Sequence, residues 1–549
     1  MAESREKTIP FVSEYNTRGL FATASKDSRL INGVYVPVTD RAKNSATWYV
    51  EKRPGWVTFE TESISGFSSG TGQAVFNDNN GYVVSAYHSG TTTTTIFQAT
   101  VNCGTLTGIG VTFNEFVWGN KTYVMIGHGA AGSLGVSGWY LGEDANIKSL
   151  TFTGNITSGQ KTISGVALTS QSGIYVGQLL TQTALTAGTR IASISGTDVI
   201  TDTNAISTTA AATITKQALS RIIDADFPNT TVASRFAEMN GYVFVMNATN
   251  RRIYNSDLNA VHSWGASNYL TVNSAVGNLL TIHRYGDYIV AFCTEGVEFF
   301  YFAGNTSGSV LSSRLAIVGV GISTQSVYSS VSAYGNVYWY WSKDTSKTGG
   351  GIYRFEGLTP KKISTPVIDN ILAVGSNATW RVEKLVIGGQ NYISVHSEGT
   401  IQYLYHIQSE KWTEGGFAAN YAVNGAYGIK ASVGEGIVYD IDGSSFQDGS
   451  TTYTMEIQTD RMTFGSNNNK RIKSIELIAD NQASGVAFLE TTTDDYATFS
   501  TPREFDLTSD KKRLYNFGMG RSWAFRLKHY NNTAFRGEGL KIEYDEMDH

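Results

Sequence analysis

"GNVYWYWSKDTSKTGGGIYRFEG", residues 335–357, is the stretch whose reading decides the fold. A Gly-Asn turn leads into Tyr338, Trp339, Tyr340 and Trp341. A polar turn follows, and then a second run carrying Ile352, Tyr353 and Phe355. Successive side chains of a strand point to opposite faces, so a strand aromatic at every position is covered on both faces. Such a hairpin has to lie between two other sheets. The same pattern, a Gly/Asn/Asp turn before a tyrosine-centred apolar run, recurs along the chain. It appears in 80–97, 120–132, 240–257, 286–304, 389–412 and 434–446.

Tyr242, Tyr288, Tyr338, Tyr392 and Tyr439 mark the later repeats at spacings of 46, 50, 54 and 47. A period of that size, with two aromatic hairpin strands per unit, predicts β-propeller blades that bury their faces by stacking on neighbours. Tyr123 and Tyr242 are 119 positions apart, and residues 149–216 between them differ in character. They are rich in Thr, Ser and Ala, have no aromatic beyond Phe152 and Tyr175, and alternate apolar with hydroxylated positions. That reads as a small Ig-like β-sandwich inserted in a blade loop, where extra length costs little. Tyr82 and Tyr123 are only 41 apart, so the preferred count is six blades, with seven the alternative.

The expected division is an N-terminal segment of short strands (1–60), first blades (61–148), the insert (149–216), remaining blades (217–451) and a C-terminal antiparallel sandwich-like unit (452–549). The fold class is all-β. At 549 residues the chain exceeds one ordinary core. Its 57 glycines, 7 prolines and 12% aromatics suit short strands and tight turns, while helical periodicity is missing.

The formal net charge of −5 argues against a dominant nucleic-acid-binding surface. Cys103 and Cys293 lack a C-x-x-C partner and read as buried free thiols. The polar start MAESREKTIPF holds no signal-peptide core, and no run approaches the ~20 apolar residues of a membrane span, so a soluble, non-secreted protein without a membrane-spanning segment is expected.

Motifs for chemistry are sparse. The eight histidines stand in no H-x-x-x-H or H-E-x-x-H setting, and no nucleophile elbow or phosphate loop occurs. Asp440, Asp442 and Asp448 could crowd a cation, but their spacing departs from the calcium-loop pattern and acidic β-turns are common. "TTTDDYATF" (491–499) lacks the glycine of a sialidase Asp-box. Lys470, Arg471, Lys473, Lys511, Lys512, Arg513, Arg521 and Arg526 are interleaved with acids, as in a solvated or interfacial charged face. No catalytic, cofactor or metal residue is assigned. A glycosidase would need carboxylates and arginines converging on one mouth of the channel.

One cluster stands out in so uncharged a chain: Glu51, Lys52 and Arg53 before Pro54-Gly55, in "WYVEKRPGW" (48–56). Lys52, Arg53, Pro54 and Gly55 are expected to form a structural turn or a subunit contact, Pro54 fixing φ, Gly55 permitting a positive φ, and the charges facing solvent or a neighbouring subunit. The segment "SRLINGVYVPVTD…ATWYVEKRPGW" (28–56) resembles the N-terminal part of the tail nozzle proteins of short-tailed bacteriophages. In those proteins an Asn … Lys-Arg-Pro-Gly stretch leads into a β-propeller. The ending "RLYNFGMGRSWAFRLKHYNN…GEGLKIEYDEM" (513–546) resembles the end of the same family, and residues 177–205 look like sandwich modules that decorate phage structural proteins.

The resemblance implies a non-enzymatic virion protein of the tail, made in the host cytoplasm and needing no cofactor. It implies a homo-oligomeric ring, commonly a hexamer, below the adaptor ring of the portal, with tail fibres or distal tail proteins attached. Double-stranded DNA would pass through the lumen without sequence-specific binding, and a mildly acidic wall would not grip the phosphates. Two other readings remain open: a host-receptor-binding propeller whose Thr/Ser-rich insert serves adhesion, and a glycan-cleaving propeller.

Overall fold

The computed structural model describes residues 4–11, 28–37, 48–61, 71–77, 81–89, 93–118, 121–129, 138–142, 150–168, 173–228, 235–323, 328–342, 350–374, 380–396, 402–415, 421–430 and 437–547. Among the described residues there is one helix, Pro366–Val374, and the rest of the regular structure is strand.

Among the described residues the strands pair into a β-propeller of seven four-stranded blades. Blades 3 to 6 are formed by 236–271, 279–318, 330–362 and 381–414, and blade 1 by 71–107. Blade 2 takes three strands from 109–142 and its fourth from Thr209–Arg221, across the insert. Blade 7 takes three strands from 421–442, and its outer strand is Gly55–Thr61, paired with Ile437–Asp442. The first strand of each blade contacts that of the next, and Tyr421–Asn424 contacts Thr71–Asn77, so the ring closes.

The blade count is thus seven, the alternative, and not the preferred six. Tyr82 and Tyr123 lie in or beside the second strands of two separate blades, Val83–Ser89 and Lys121–Gly129. In blade 7 the second strand carries Tyr427, while the marker Tyr439 sits in the third.

Tyr338–Trp341 behaves as its pattern demands. Tyr338 and Tyr340 pack with Trp380, Val382 and Trp412 towards blade 6. Trp339 turns the other way onto Phe292 of blade 4 and Phe355, with ring centroids 5.1 and 4.7 Å apart. Burying an aromatic side chain of this size is worth roughly 1.5–3 kcal/mol, and each blade gains that only with neighbours in place.

The described strands within the first 60 residues pair and pack with those of the C-terminal unit. Ser4–Pro10, Gly33–Pro37 and Trp48–Lys52 join Asn469–Ala479, Arg513–Gly520 and Arg536–Met547 in one sheet. Ile9, Leu30, Tyr35 and Val50 share a core with Ile475, Leu489, Phe525, Leu540 and Ile542. Arg29–Ile31 lies between the outer strand of blade 6, Lys411–Glu414, and Met455–Gln458, so blade 6 continues into the C-terminal sheet.

The insert has its own core, with Phe152, Ile163, Leu180, Val199 and Ile214. It is not hung on a flexible stalk: the strand Thr209–Arg221 begins in the sandwich, paired with Thr151–Ile156, and ends as the outer strand of blade 2. At the joint the Gln178 amide donates to Gly173 O and Ala218 O, and the Tyr140 hydroxyl donates to Val176 O.

Candidate functional site

Two places bury charge where strands from distant parts of the chain meet. The first is the turn between Trp48–Lys52 and Gly55–Thr61, the Lys-Arg-Pro-Gly stretch. Arg53 and Pro54 link the two strands, Gly55 opens the second one, and the two charges do not face solvent. Lys52 is 2% and Arg53 0% exposed. An unpaired charge cannot be buried at tolerable cost, so the chain surrounds each with acceptors. Arg53 donates from Nε to Asn32 Oδ1 (2.8 Å) and Gly415 O (3.1 Å). Its fork grips Asp448, Nη1 to Oδ1 at 2.8 Å and Nη2 to Oδ2 at 2.6 Å, and its plane lies 3.7 Å over the Tyr453 ring. Lys52 Nζ donates to Asn531 O at 2.7 Å. Burial and the adjacent Arg53 lower Lys52 to about 8.

Gly55 is needed for a reason other than positive φ. A Cβ there would lie 1.9 Å from Gln447 O, so only glycine admits the crossing backbone. The turn is a junction inside one chain. Asn32 and Arg53 come from the N-terminal stretch, Gly415 follows blade 6, Asp448 follows blade 7, and Tyr453 and Asn531 belong to the C-terminal unit. Asn32, of "SRLINGV", is thereby held against the Lys-Arg-Pro-Gly stretch.

The second place is the propeller axis, which sequence reasoning missed. Near the ends of the innermost strands a cavity of about 500 Å³ is lined by Phe113, Glu115, Glu238, Arg284, Lys384 and Asn424, among others. It narrows to a space of about 60 Å³ beside Val111, Arg235, Tyr328 and Glu383, room for a few waters. Side chains tie the blades together across this neck. Arg381 grips Glu383 (2.9 and 2.7 Å) and donates to Gln73 O of blade 1 (2.6 Å). Glu383 accepts from Val423 N–H of blade 7 (3.0 Å), and Arg235 donates to Ser330 O (3.0 Å).

These charges are spent on one another. Burial pushes the Glu383 carboxyl up, opposed by Arg381, the Val423 N–H and Arg235. Both its oxygens are engaged within the cluster. His283 sits between Ser332 Oγ (2.9 Å) and Ser330 Oγ (2.8 Å), and burial followed by Arg235 holds it well below the ordinary histidine value. Burial and Arg381 lower His396 to about 3. At the wider mouth Glu238 pairs with Arg284 at 2.8 Å. The signal in the sequence was Arg381-Val-Glu383-Lys384 inside an apolar first strand, where alternate charges have no solvent face to occupy.

The other candidates resolve simply. Asp448 is the partner of Arg53, which removes it from a cation site. Among the described residues no three His, Cys, Asp or Glu side chains are placed to hold a metal. Cys103 and Cys293 are buried, and neither is in a disulfide. In the C-terminal unit Arg526 pairs with Glu490, Lys473 with Asp545 and Arg513 with Glu476, while Lys470 and Lys512 are buried on carbonyl and amide oxygens. No helix of the described residues is long and apolar enough to cross a membrane.

No family model matches this chain, and no curated protein matches it. Solved structures similar to it include an exo-β-1,3-galactanase of Phanerochaete chrysosporium (9% identity, 86% of this chain and 99% of that one, TM-score 0.29). They also include YCF48 bound to a D1 peptide (11%, 71% and 97%, 0.30) and the sialidase of Trypanosoma rangeli (9%, 94% and 96%, 0.25). At such identities and scores none of them bears on function. The conclusion the strand pairing carries is that the described residues form a seven-bladed β-propeller, closed by the strand Gly55–Thr61 and joined to a C-terminal sandwich that takes in strands from the first 52 residues.

Proposed function

We propose that the chain is a structural subunit of the tail nozzle of a short-tailed bacteriophage. In this reading several copies form a ring that closes the head-to-tail channel, retains the genome and conducts DNA during ejection. The observation that carries it is the meeting of the two stretches that bear the resemblance. Residues 28–56 and 513–546 are far apart in sequence, yet Val50 pairs with Gly537 and Glu51 with Arg536 in one sheet over one core. A likeness at both ends of a chain is more telling when the ends make a single unit. Among the described residues the cavity at the axis narrows to a space of about 60 Å³, too small for a duplex, so on this reading the conduit runs between copies.

The test is the mass of the purified protein by light scattering, followed by imaging. A closed ring with a lumen wide enough for duplex DNA supports the reading; a monomer at all concentrations, absent from virion tails, ends it.

A second reading is favoured by the mouth cavity alone. Glu115 and Glu238 stand among its lining groups, and two carboxylates across a cleft are what glycoside hydrolysis uses. Hydrolysis of any member of a chromogenic glycoside panel, lost in both Glu115→Gln and Glu238→Gln, would favour it over the nozzle. Glu383→Gln should destabilise the fold without touching such an activity.

A further inference from the structure

Where the insert meets blade 2, a group of N–H donors is left without protein acceptors. Trp139 and Arg221 are directly opposite in register, so their side chains leave the sheet on one face. Arg190 reaches them from the insert. Its Nη1 donates to Gly177 O at 2.8 Å, and its guanidinium carbon lies 5.4 Å from the centre of the Trp139 ring.

Trp139 is 7% exposed, and among the described residues its Nε1 has no hydrogen-bond partner. The buried Nε of Arg221 has none either. Elsewhere in the molecule arginines at strand junctions hand their N–H groups to carboxylates: Arg29 to Glu414, Arg53 to Asp448, Arg381 to Glu383. The Arg221 side chain donates to no oxygen of the described residues. Both Arg190 and Arg221 are partly buried, and each feels the other. Burial first, then the Arg221 charge, lower Arg190 to about 10, against the opposing pull of Asp202. Asp202 is exposed and accepts from the Arg190 backbone N–H rather than from either guanidinium.

Two like charges drawn partly out of water, with two bare buried donors beside them, are costly to the fold as they stand. A water molecule would satisfy an N–H and leave the charges uncompensated. A tetrahedral oxyanion answers both needs. Its oxygens match the arginine fork in pairs, its charge offsets the two cations, and a further oxygen accepts from an indole N–H. We infer that Arg190, Arg221 and Trp139 form a binding site for a phosphate-type oxyanion. The bound group clamps the insert, through Arg190, to blade 2, through Trp139 and the shared strand Thr209–Arg221. A free ion and the backbone of a nucleic acid both offer this chemistry. The inference does not depend on the nozzle reading.

The test is equilibrium dialysis of the full-length protein against radiolabelled inorganic phosphate in a chloride buffer at neutral pH. The expected result is saturable uptake near one phosphate per chain. Arg221→Gln and Arg190→Gln should each weaken it by about tenfold or more, the worth of a hydrogen bond to a charged group. Arg314→Gln, at an exposed position of blade 4, should leave it unchanged. Arg221→Lys keeps the charge without the fork and should lose less affinity than Arg221→Gln. Because Arg221→Gln removes a repelling charge and no side-chain hydrogen bond, it should melt at or above the wild-type temperature in phosphate-free buffer. Sulfate and a short DNA duplex serve as competitors: displacement by sulfate alone identifies a free ion as the source, displacement by both the nucleic-acid backbone. Uptake that is absent, does not saturate, or is undiminished in either glutamine variant overturns the inference. So does a folded Arg221→Gln that melts below the wild type without phosphate, since its charge would then already be compensated within the chain.

Discussion

Replacing Arg53 with alanine tests the junction most directly. The Arg53 side chain is 1% exposed and holds Asp448, Asn32 and the Gly415 carbonyl while stacking on Tyr453. Breaking a buried pair by removing one partner costs about 3–5 kcal/mol, because the other charge is left without compensation. Two features set the expectation at the lower end, about 3 kcal/mol. The Asp448 side chain keeps 19% exposure, and its Oδ1 still accepts from Trp56 N–H at 3.1 Å. For a cooperative unit of roughly 150–250 residues this lowers Tm by about 6–12 °C. Scanning calorimetry reads it, with trypsin sensitivity of the N-terminal stretch as a second probe. Arg53→Lys keeps the charge but not the two-pronged grip or the stacking plane, and should fall between. The double variant with Asp448→Ala should show coupling, its effects summing to less than the two single losses. If Arg53→Ala melts within about 1 °C of wild type, or the two changes are additive, the junction does not hold the units together.

Other outcomes follow from the same geometry. Gly55→Ala should cost at least about 2 kcal/mol in chemical denaturation, because the new methyl meets the Gln447 backbone rather than a movable side chain. Trp339→Ala should cost about 3–5 kcal/mol by the same measurement, emptying the contact between blades 4 and 5. Burial lowers His406 to about 4; burial together with the Lys52 charge does the same for His529, and His396 is lower still. The unfolded chain, with histidines near 6.5, therefore binds more protons between about pH 6.5 and 4, and stability should fall as pH falls through that window. A melting temperature flat from pH 7 to 4 would contradict these assignments.

The propeller was legible because its blades are aromatic on both faces, a pattern that a half-solvated sheet does not produce. Each of the seven marker tyrosines lies in or beside a separate blade, but Tyr439 sits one strand later than the others, which blurred the period. The seventh blade was harder to see because its fourth strand comes from residues 55–61, and repeats in sequence cannot reveal a pairing across the whole chain. The burial of Lys52 and Arg53 was illegible for a similar reason. Charge in a turn ordinarily means solvent, and the acceptors that reverse this rule, Gly415, Asp448 and Asn531, are contributed from hundreds of positions away. The axial cluster had a local trace in Arg381 and Glu383, but Gln73, Arg235 and Ser330 become its neighbours only when the ring is closed.

Closure by an early strand also imposes an order of events during synthesis. Gly55–Thr61 leaves the ribosome long before its partner Ile437–Asp442, and at about 5–20 residues per second the delay is roughly 20–75 s. Ser4–Pro10 waits longer still, for Arg536–Met547. Through that interval an aromatic edge, "GWVTFET", is available to any passing nascent chain. Translation that stops early therefore yields no smaller working propeller, only an open arc with an unclaimed strand, and the cell's holding chaperones have the first claim on it.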